Sequence, residues 1–321
     1  MTRPDHPKGK CCGAVIAAWL LLFIGTQPVS VADDTGAAGR SVEAAEFMGM
    51  DICEACHEDI TIGMRMNPHG QAADSRTPFA GEGCETCHGP GSLHVEADGE
   101  SAAGMLGFNA DKGESTQRQN TACSACHQGG SFLHWPASAH EHDDMACSSC
   151  HRVHTPDPVL ERTTQAEACY QCHTSIRAQS YQASTHPIRE HKLVCSDCHN
   201  AHGGMGPAQL RQLSINENCY ACHAETRGPF LWEHYPVTED CSLCHRVHGS
   251  NHPALLTQQG PQLCQLCHQD IRAQGRRHVS RFLDFDDADA ARGRFIVGLN
   301  CMNCHSQVHG SNHPSGAYLL R

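Results

Sequence analysis

The chain has 321 residues, a formal charge of −12 and only 5% aromatic residues. Its 35 Asp plus Glu against 23 Lys plus Arg deny it the basic surface that phosphate backbones require, which excludes a nucleic-acid partner. What remains are electron carriers, another protein, or cationic and metal species, and 22 cysteines point to cofactors rather than side chains as the filling of the interior.

In chain order, residues 1–32 read as a secretory signal peptide. Arg3, Lys8 and Lys10 precede an apolar run from Cys11 to Gly25, and Ser30-Val31-Ala32 places small residues at a cleavage site. The run is shorter than the roughly 20 residues of a membrane span, so cleavage after Ala32 is expected rather than an anchor. Cys11 and Cys12 precede the run, whereas a lipidated cysteine would follow it. No later stretch approaches spanning length. The mature chain, 33–321, is expected in the periplasm or beyond.

The other twenty cysteines all belong to C-x-x-C-H motifs. These are Cys53, Cys56 and His57; Cys84, Cys87 and His88; Cys123, Cys126 and His127; Cys147, Cys150 and His151; Cys169, Cys172 and His173; Cys195, Cys198 and His199; Cys219, Cys222 and His223; Cys241, Cys244 and His245; Cys264, Cys267 and His268; and Cys301, Cys304 and His305. On a helical turn, positions i, i+3 and i+4 share a face. Two thiols can then reach the two vinyl groups of one porphyrin while the histidine ligates its iron, which is covalent attachment of a c-type haem. Zinc sites and thioredoxin-like motifs share the C-x-x-C spacing, but neither demands a histidine after every second cysteine. A disulfide framework would need cysteines outside the motifs. Ten c-type haems (haem c) are expected, with the ten motif histidines as proximal iron ligands.

The remaining histidines keep step with the motifs, which fall into five pairs. Between the two motifs of each pair lies His69, His140, His186, His234 or His278, at 12, 13, 13, 11 and 10 residues past the first motif's histidine. After the second motif lies His94, His154, His202, His248 or His309, at 6, 3, 3, 3 and 4 residues. These ten are the candidate distal ligands, so every haem is expected to be six-coordinate with two histidines. Which distal histidine serves which haem stays open. His134, His142, His191, His252 and His313 are left as surface or propionate-contacting residues, and methionine ligation is disfavoured. The repeats run over about 46–121, 122–163, 164–213, 214–257 and 258–321.

The expected fold is mostly irregular with short α-helices and little or no β-sheet, an elongated haem-cored chain of five two-haem repeats. Without haem it should not fold, as small metal domains do not. Thr164-Gln165-Ala166-Glu167 and Ser214-Ile215-Asn216-Glu217 read as capping boxes that place Cys169 and Cys219 in first helical turns. His248 to Pro253, and its near copy His309 to Pro314, read as tight turns. Gly89 to Thr121 reads as an exposed loop. From Gln269 to Asn300, Arg276, Arg277, Arg292 and Arg294 beside Asp284, Asp286, Asp287 and Asp289 are either propionate partners or a solvated face.

At Cys84 to His94 (CETCHGPGSLH), Cys219 to Pro253 (CYACHAETRGPFLWEHYPVTEDCSLCHRVHGSNHP) and Cys301 to Pro314, the chain resembles the decahaem c-type cytochromes of the MtrA and DmsE type. The resemblance runs from about Glu46 to the C-terminus. It implies a periplasmic electron-transfer protein associated with the outer membrane, inserted in a β-barrel porin and forming a haem wire for extracellular metal or dimethyl sulfoxide reduction or iron oxidation. Periplasmic or inner-membrane cytochromes would stand at one end and an extracellular multihaem cytochrome or reductase at the other. A porin would supply the lipid-facing surface that this chain lacks. The alternatives are a soluble periplasmic shuttle or store without a porin, and a multihaem reductase. An altered motif such as C-x-x-C-K, often found at an active haem, is absent.

Overall fold

The computed structural model describes residues 45–108, 114–268, 300–314 and 316–320. The expected signal segment, His278 and the charged stretch 269–299 lie outside them. The described residues all fall in one compact unit, Ser41–Arg321. It is built of short helices, the longest Thr116–Ser124, and among the described residues the β-structure amounts to four isolated bridges. Among the described residues no helix is long and apolar enough to cross a membrane.

The helices repeat a simple pattern. Each first motif begins at the end of a helix: Met50–Glu54, Thr116–Ser124, Gln165–Tyr170, Ile215–Tyr220 and Gly260–Gln265 each carry the opening cysteine one residue before their last. The second motifs of the five pairs form single turns, Glu85–His88, Cys147–Cys150, Cys195–Cys198, Cys241–Leu243 and Cys301–Asn303. Cys169 and Cys219 therefore sit at helix ends, not in the first turns that the capping boxes suggested. Ser214 does cap its helix, accepting from the Glu217 N–H. Thr164 does not, because its hydroxyl donates to the Pro158 carbonyl instead. A cap five residues upstream leaves room for one turn before the cysteine, and the motif histidine then leaves helical dihedrals, as at His173 (φ −85, ψ 56).

The described part of Gly89 to Thr121 is also more than a loop. It contains the helix Ser92–Glu96 and the start of Thr116–Ser124, the latter capped by Ser115 and braced by Arg118 on Glu114. The Gly-rich turns after second motifs form as expected, the Gly249 N–H donating to Arg246 and the His252 N–H to Ser250 Oγ.

The apolar core is too thin to hold this unit. Among the described residues the buried hydrophobics are Met64, Phe79, Ala166, Tyr170 and Val194. Buried polar clamps fix the local geometry instead. The Glu85 carboxylate accepts N–H bonds from Met48, Gly49 and Gly91, which outweigh its burial and hold it below the usual carboxylate range.

Candidate haem sites

Every motif closes the turn that its spacing demands. In all ten, the histidine N–H donates to the first cysteine's carbonyl at 2.9–3.1 Å. Cysteines i and i+3 and the histidine at i+4 are thereby fixed on one short arc of backbone.

The motifs are then stitched in pairs. The opening cysteines of each pair touch thiol to thiol: Cys53 with Cys84, Cys123 with Cys147, Cys169 with Cys195, Cys219 with Cys241 and Cys264 with Cys301. Burial, with the neighbouring thiol adding, pushes Cys53, Cys219 and Cys264 up to about 11. Successive pairs also meet, since Cys87 lies within electrostatic reach of Cys123 and Cys126, Cys150 of Cys172, Cys198 of Cys222, and Cys244 of Cys267. The ten motifs therefore follow one another in space in the order in which they follow one another in sequence.

An amide side chain one turn before the first motif locks several pairs. Asn120 Oδ1 accepts from the Cys147 N–H at 2.8 Å, and Asn216 Oδ1 from the Cys241 N–H at 2.8 Å. Gln165 accepts from the Ser196 N–H at 2.9 Å. Sequence reasoning passed over these residues, although Asn three residues ahead of Cys123 and of Cys219 was a visible signal.

Nine motif histidines face nine of the ten candidate distal histidines, ring to ring. Four couples join a first-motif histidine to the inter-motif histidine of the preceding pair: His127 with His69 at 5.8 Å, His173 with His140 at 6.1 Å, His223 with His186 at 6.4 Å and His268 with His234 at 6.2 Å between centroids. Four join a second-motif histidine to the trailing histidine of the following pair: His88 with His154 at 6.0 Å, His151 with His202 at 5.8 Å, His199 with His248 at 6.1 Å and His245 with His309 at 6.1 Å. The ninth, His57 with His94 at 6.2 Å, stays within the first pair. Among the described residues no such ring couple includes His134, His142, His191 or His252.

Three of the candidate distal histidines are held by the same interlock. His140 Nδ1 bonds the Ala201 carbonyl, His186 Nδ1 the Val247 carbonyl and His234 Nδ1 the Val308 carbonyl, in each case the residue just before the next pair's trailing histidine. Bonding through Nδ1 leaves Nε2 of each ring available to a metal. Burial also pushes His69, His154, His202, His248 and His309 below the usual histidine range. They are neutral at pH 7, the form that offers a lone pair to a metal.

These features fit a haem. Two metal–imidazole bonds of about 2.0–2.1 Å, as first-row metals make, plus the half-widths of two five-membered rings, account for the repeated ring spacing. A connected cavity of about 5780 Å³ is lined by every cysteine and histidine of nine motifs, from Cys84 to His305. Ordinary small-molecule pockets hold about 300–1,000 Å³, so this space suits a succession of large groups.

Comparison with known proteins agrees. The doubled CXXCH motif family matches residues 186–228 and 234–273, and the cytochrome c-type NrfB-like family matches residues 84–164. The chain is 44% identical over 277 residues to the multihaem cytochrome MtrA of Shewanella baltica (strain OS185), an alignment covering 85% of this chain and 81% of that protein.

The chain belongs to the MtrA family of multihaem cytochromes. An MtrA-family protein is an electron carrier, and the thin side-chain core, the turn-closed motifs and the facing imidazoles are what such a carrier needs.

Proposed function

We propose that this MtrA-family chain binds ten c-type haems, each between two histidines, and conducts electrons from one end of the row to the other through a porin of the outer membrane. The observation that carries the proposal is the succession of ten motifs in sequence order, with facing imidazoles at nine of them. On this reading the ligand couples are those of the ring pairs. His278 remains in the count for the haem of Cys301, Cys304 and His305.

Bound haem supplies a one-electron couple at each step. The chain supplies the rest. Thioether attachment would fix each macrocycle to a one-turn arc, and two imidazoles would saturate the iron so that small molecules find no open position. Paired cysteines keep neighbouring macrocycles close, and the cross-pair histidines tie each module to the next. A membrane core of about 30 Å offers no electron carrier of its own, so a fixed row of carriers sheathed by a barrel would bridge it.

The test is reconstitution of the haem-loaded protein with its porin in liposomes enclosing an electron acceptor and exposed to an external reductant. Electron transfer across the wall that requires both proteins supports the conduit. Transfer no faster with the porin than without it overturns the conduit in favour of a periplasmic shuttle. A strong high-spin ferric signal in the resting protein overturns the ligand count.

A further inference from the structure

One proximal histidine is held differently from its counterparts. In four of the five second motifs, Nδ1 donates to a backbone carbonyl: His88 to Leu106 at 2.8 Å, His199 to Ala208 at 2.9 Å, His245 to Ala254 at 2.8 Å and His305 to Tyr318 at 2.6 Å. In the fifth, His151 Nδ1 donates to a carboxylate, Asp157 Oδ2, at 2.7 Å. The Asp157 side chain is only 9% exposed, and its other oxygen accepts from the Val159 N–H at 3.2 Å, so the carboxylate is aimed by its own turn.

The local sequence explains the exchange. After His199 and His245 the chain places Ala208 and Ala254 in the left-handed region, φ 50 and 56, and that conformation turns their carbonyls back to the histidine. After His151 the run Thr155-Pro156-Asp157-Pro158 forms no such turn, and a side chain takes over the acceptor's place. Among the described residues the other carboxylate bonded to a proximal histidine is Glu225 near His223. It stands at 3.3 Å with its side chain 71% exposed, so water screens it.

A buried carboxylate accepting Nδ1–H is a charge-assisted bond that increases the basicity of the opposite nitrogen. A more basic axial ligand stabilises ferric iron over ferrous, and hydrogen bonding around the ligands is one of the levers that set a haem potential. We propose that Asp157 tunes the haem held by Cys147, Cys150 and His151, making it the member of the row most biased toward the ferric state. The step concerned is the transfer of one electron: its ferric iron becomes ferrous as a neighbouring haem's iron goes from ferrous to ferric, with no bond broken and no proton moved. Because Cys147 touches Cys123 and Cys150 lies near Cys172, this haem is interior to the row. Asp157 would thus place an uphill step inside the path rather than at either end. Asp157 also acts on the ring of His69, so the neighbouring haem of Cys123 feels its charge, though without a hydrogen bond.

The proposal rests on His151 and His202 being axial ligands, and a spectroelectrochemical titration of the haem-loaded protein, with electron paramagnetic resonance on the same samples, tests it. Asp157→Asn preserves the acceptor oxygen and removes the charge. The expected result is a rise in midpoint potential confined mainly to one haem's share of the absorbance change, at least tenfold in the ferric-to-ferrous ratio, or about 59 mV for one electron. All low-spin signals should persist, and Glu225→Gln should shift its haem much less. Asp157→Ser, which is also uncharged, gives the same reading should the Asn protein fail to mature. A titration superimposable on that of the unsubstituted protein overturns the proposal, as does conversion of this haem to high spin, which would make Asp157 a support for His151 only. High-spin haem in the unsubstituted protein would instead overturn the ligand reading itself.

Discussion

His248 lies beyond the Cys241 motif in sequence, yet its ring faces His199 of the preceding pair, 6.1 Å between centroids and 21° between planes. On the proposed ligation, His248 thus serves a motif of the pair before its own. His248→Met should raise the potential of one haem, since methionine ligation raises it relative to histidine. The affected haem should be that of Cys195 and Cys198. A redox titration of His248→Met alone, and in a background with both cysteines replaced by alanine, checks this, because the shift should vanish in the second. His252→Ala should leave the titration unchanged.

The ends of the row should behave alike. His94 faces His57 inside the first pair, and His278 is assigned to His305 inside the last. His94→Ala and His278→Ala should each convert one haem of the ten to high spin, read by low-temperature electron paramagnetic resonance. A His278→Ala protein whose spectrum is unchanged would remove that residue from the ligand set.

Ring orientation sorts the sites into two groups. Six couples are within 16–24° of parallel, those of His57, His88, His151, His199, His245 and His268. His127 and His173 are crossed with their partners at 76°, and His223 at 50°. Parallel imidazole planes split the two iron orbitals that they overlap, and crossed planes leave them nearly degenerate. The ferric protein should therefore show two families of low-spin signal, with the more anisotropic one in the minority. His140→Ala should reduce that minority family.

Close approach makes Gly249 a sensitive position. Its φ is +151, and an added Cβ would run into the Gln179 carbonyl oxygen. Backbone cannot yield as a side chain can, so Gly249→Ala should cost on the order of 1–3 kcal/mol and displace His248. Thermal unfolding of the haem-loaded protein should show the loss, together with partial high-spin character at one haem.

Much of this was legible in the sequence, because the relevant physics is local. The turn from Cys241 to His245 follows from its spacing alone, and so does the tight turn around Gly249. The partner of each distal histidine was not legible, because His154 reaches His88 and His202 reaches His151 across stretches of chain whose folding no local rule dictates. Helix placement failed for a smaller reason: the cap at Ser214 marks where a helix begins, and six residues later it has already ended at the motif. Asp157 lies between two prolines with nothing in its spacing to mark it, and only its contact with His151 distinguishes it.

Attachment should also be inseparable from folding. With five buried apolar residues described, the haem-free chain has too little to bury to offset roughly 1–2 kcal/mol of backbone entropy per residue. Protein expressed without haem maturation should show a disordered far-ultraviolet circular dichroism spectrum and rapid proteolysis.

The self-contained couple of His57 and His94 bears on how such a row can change its length. On the proposed ligation, a module copied into the interior would take one histidine from the module before it and one from the module after it, while lending its own two outward. A module appended beyond His57 would meet an end whose imidazoles are already spent on each other. As in solenoid proteins with their distinct caps, growth is then open in the middle and closed at the rim. Chains of this architecture could be matched to barriers of different thickness by internal duplication alone.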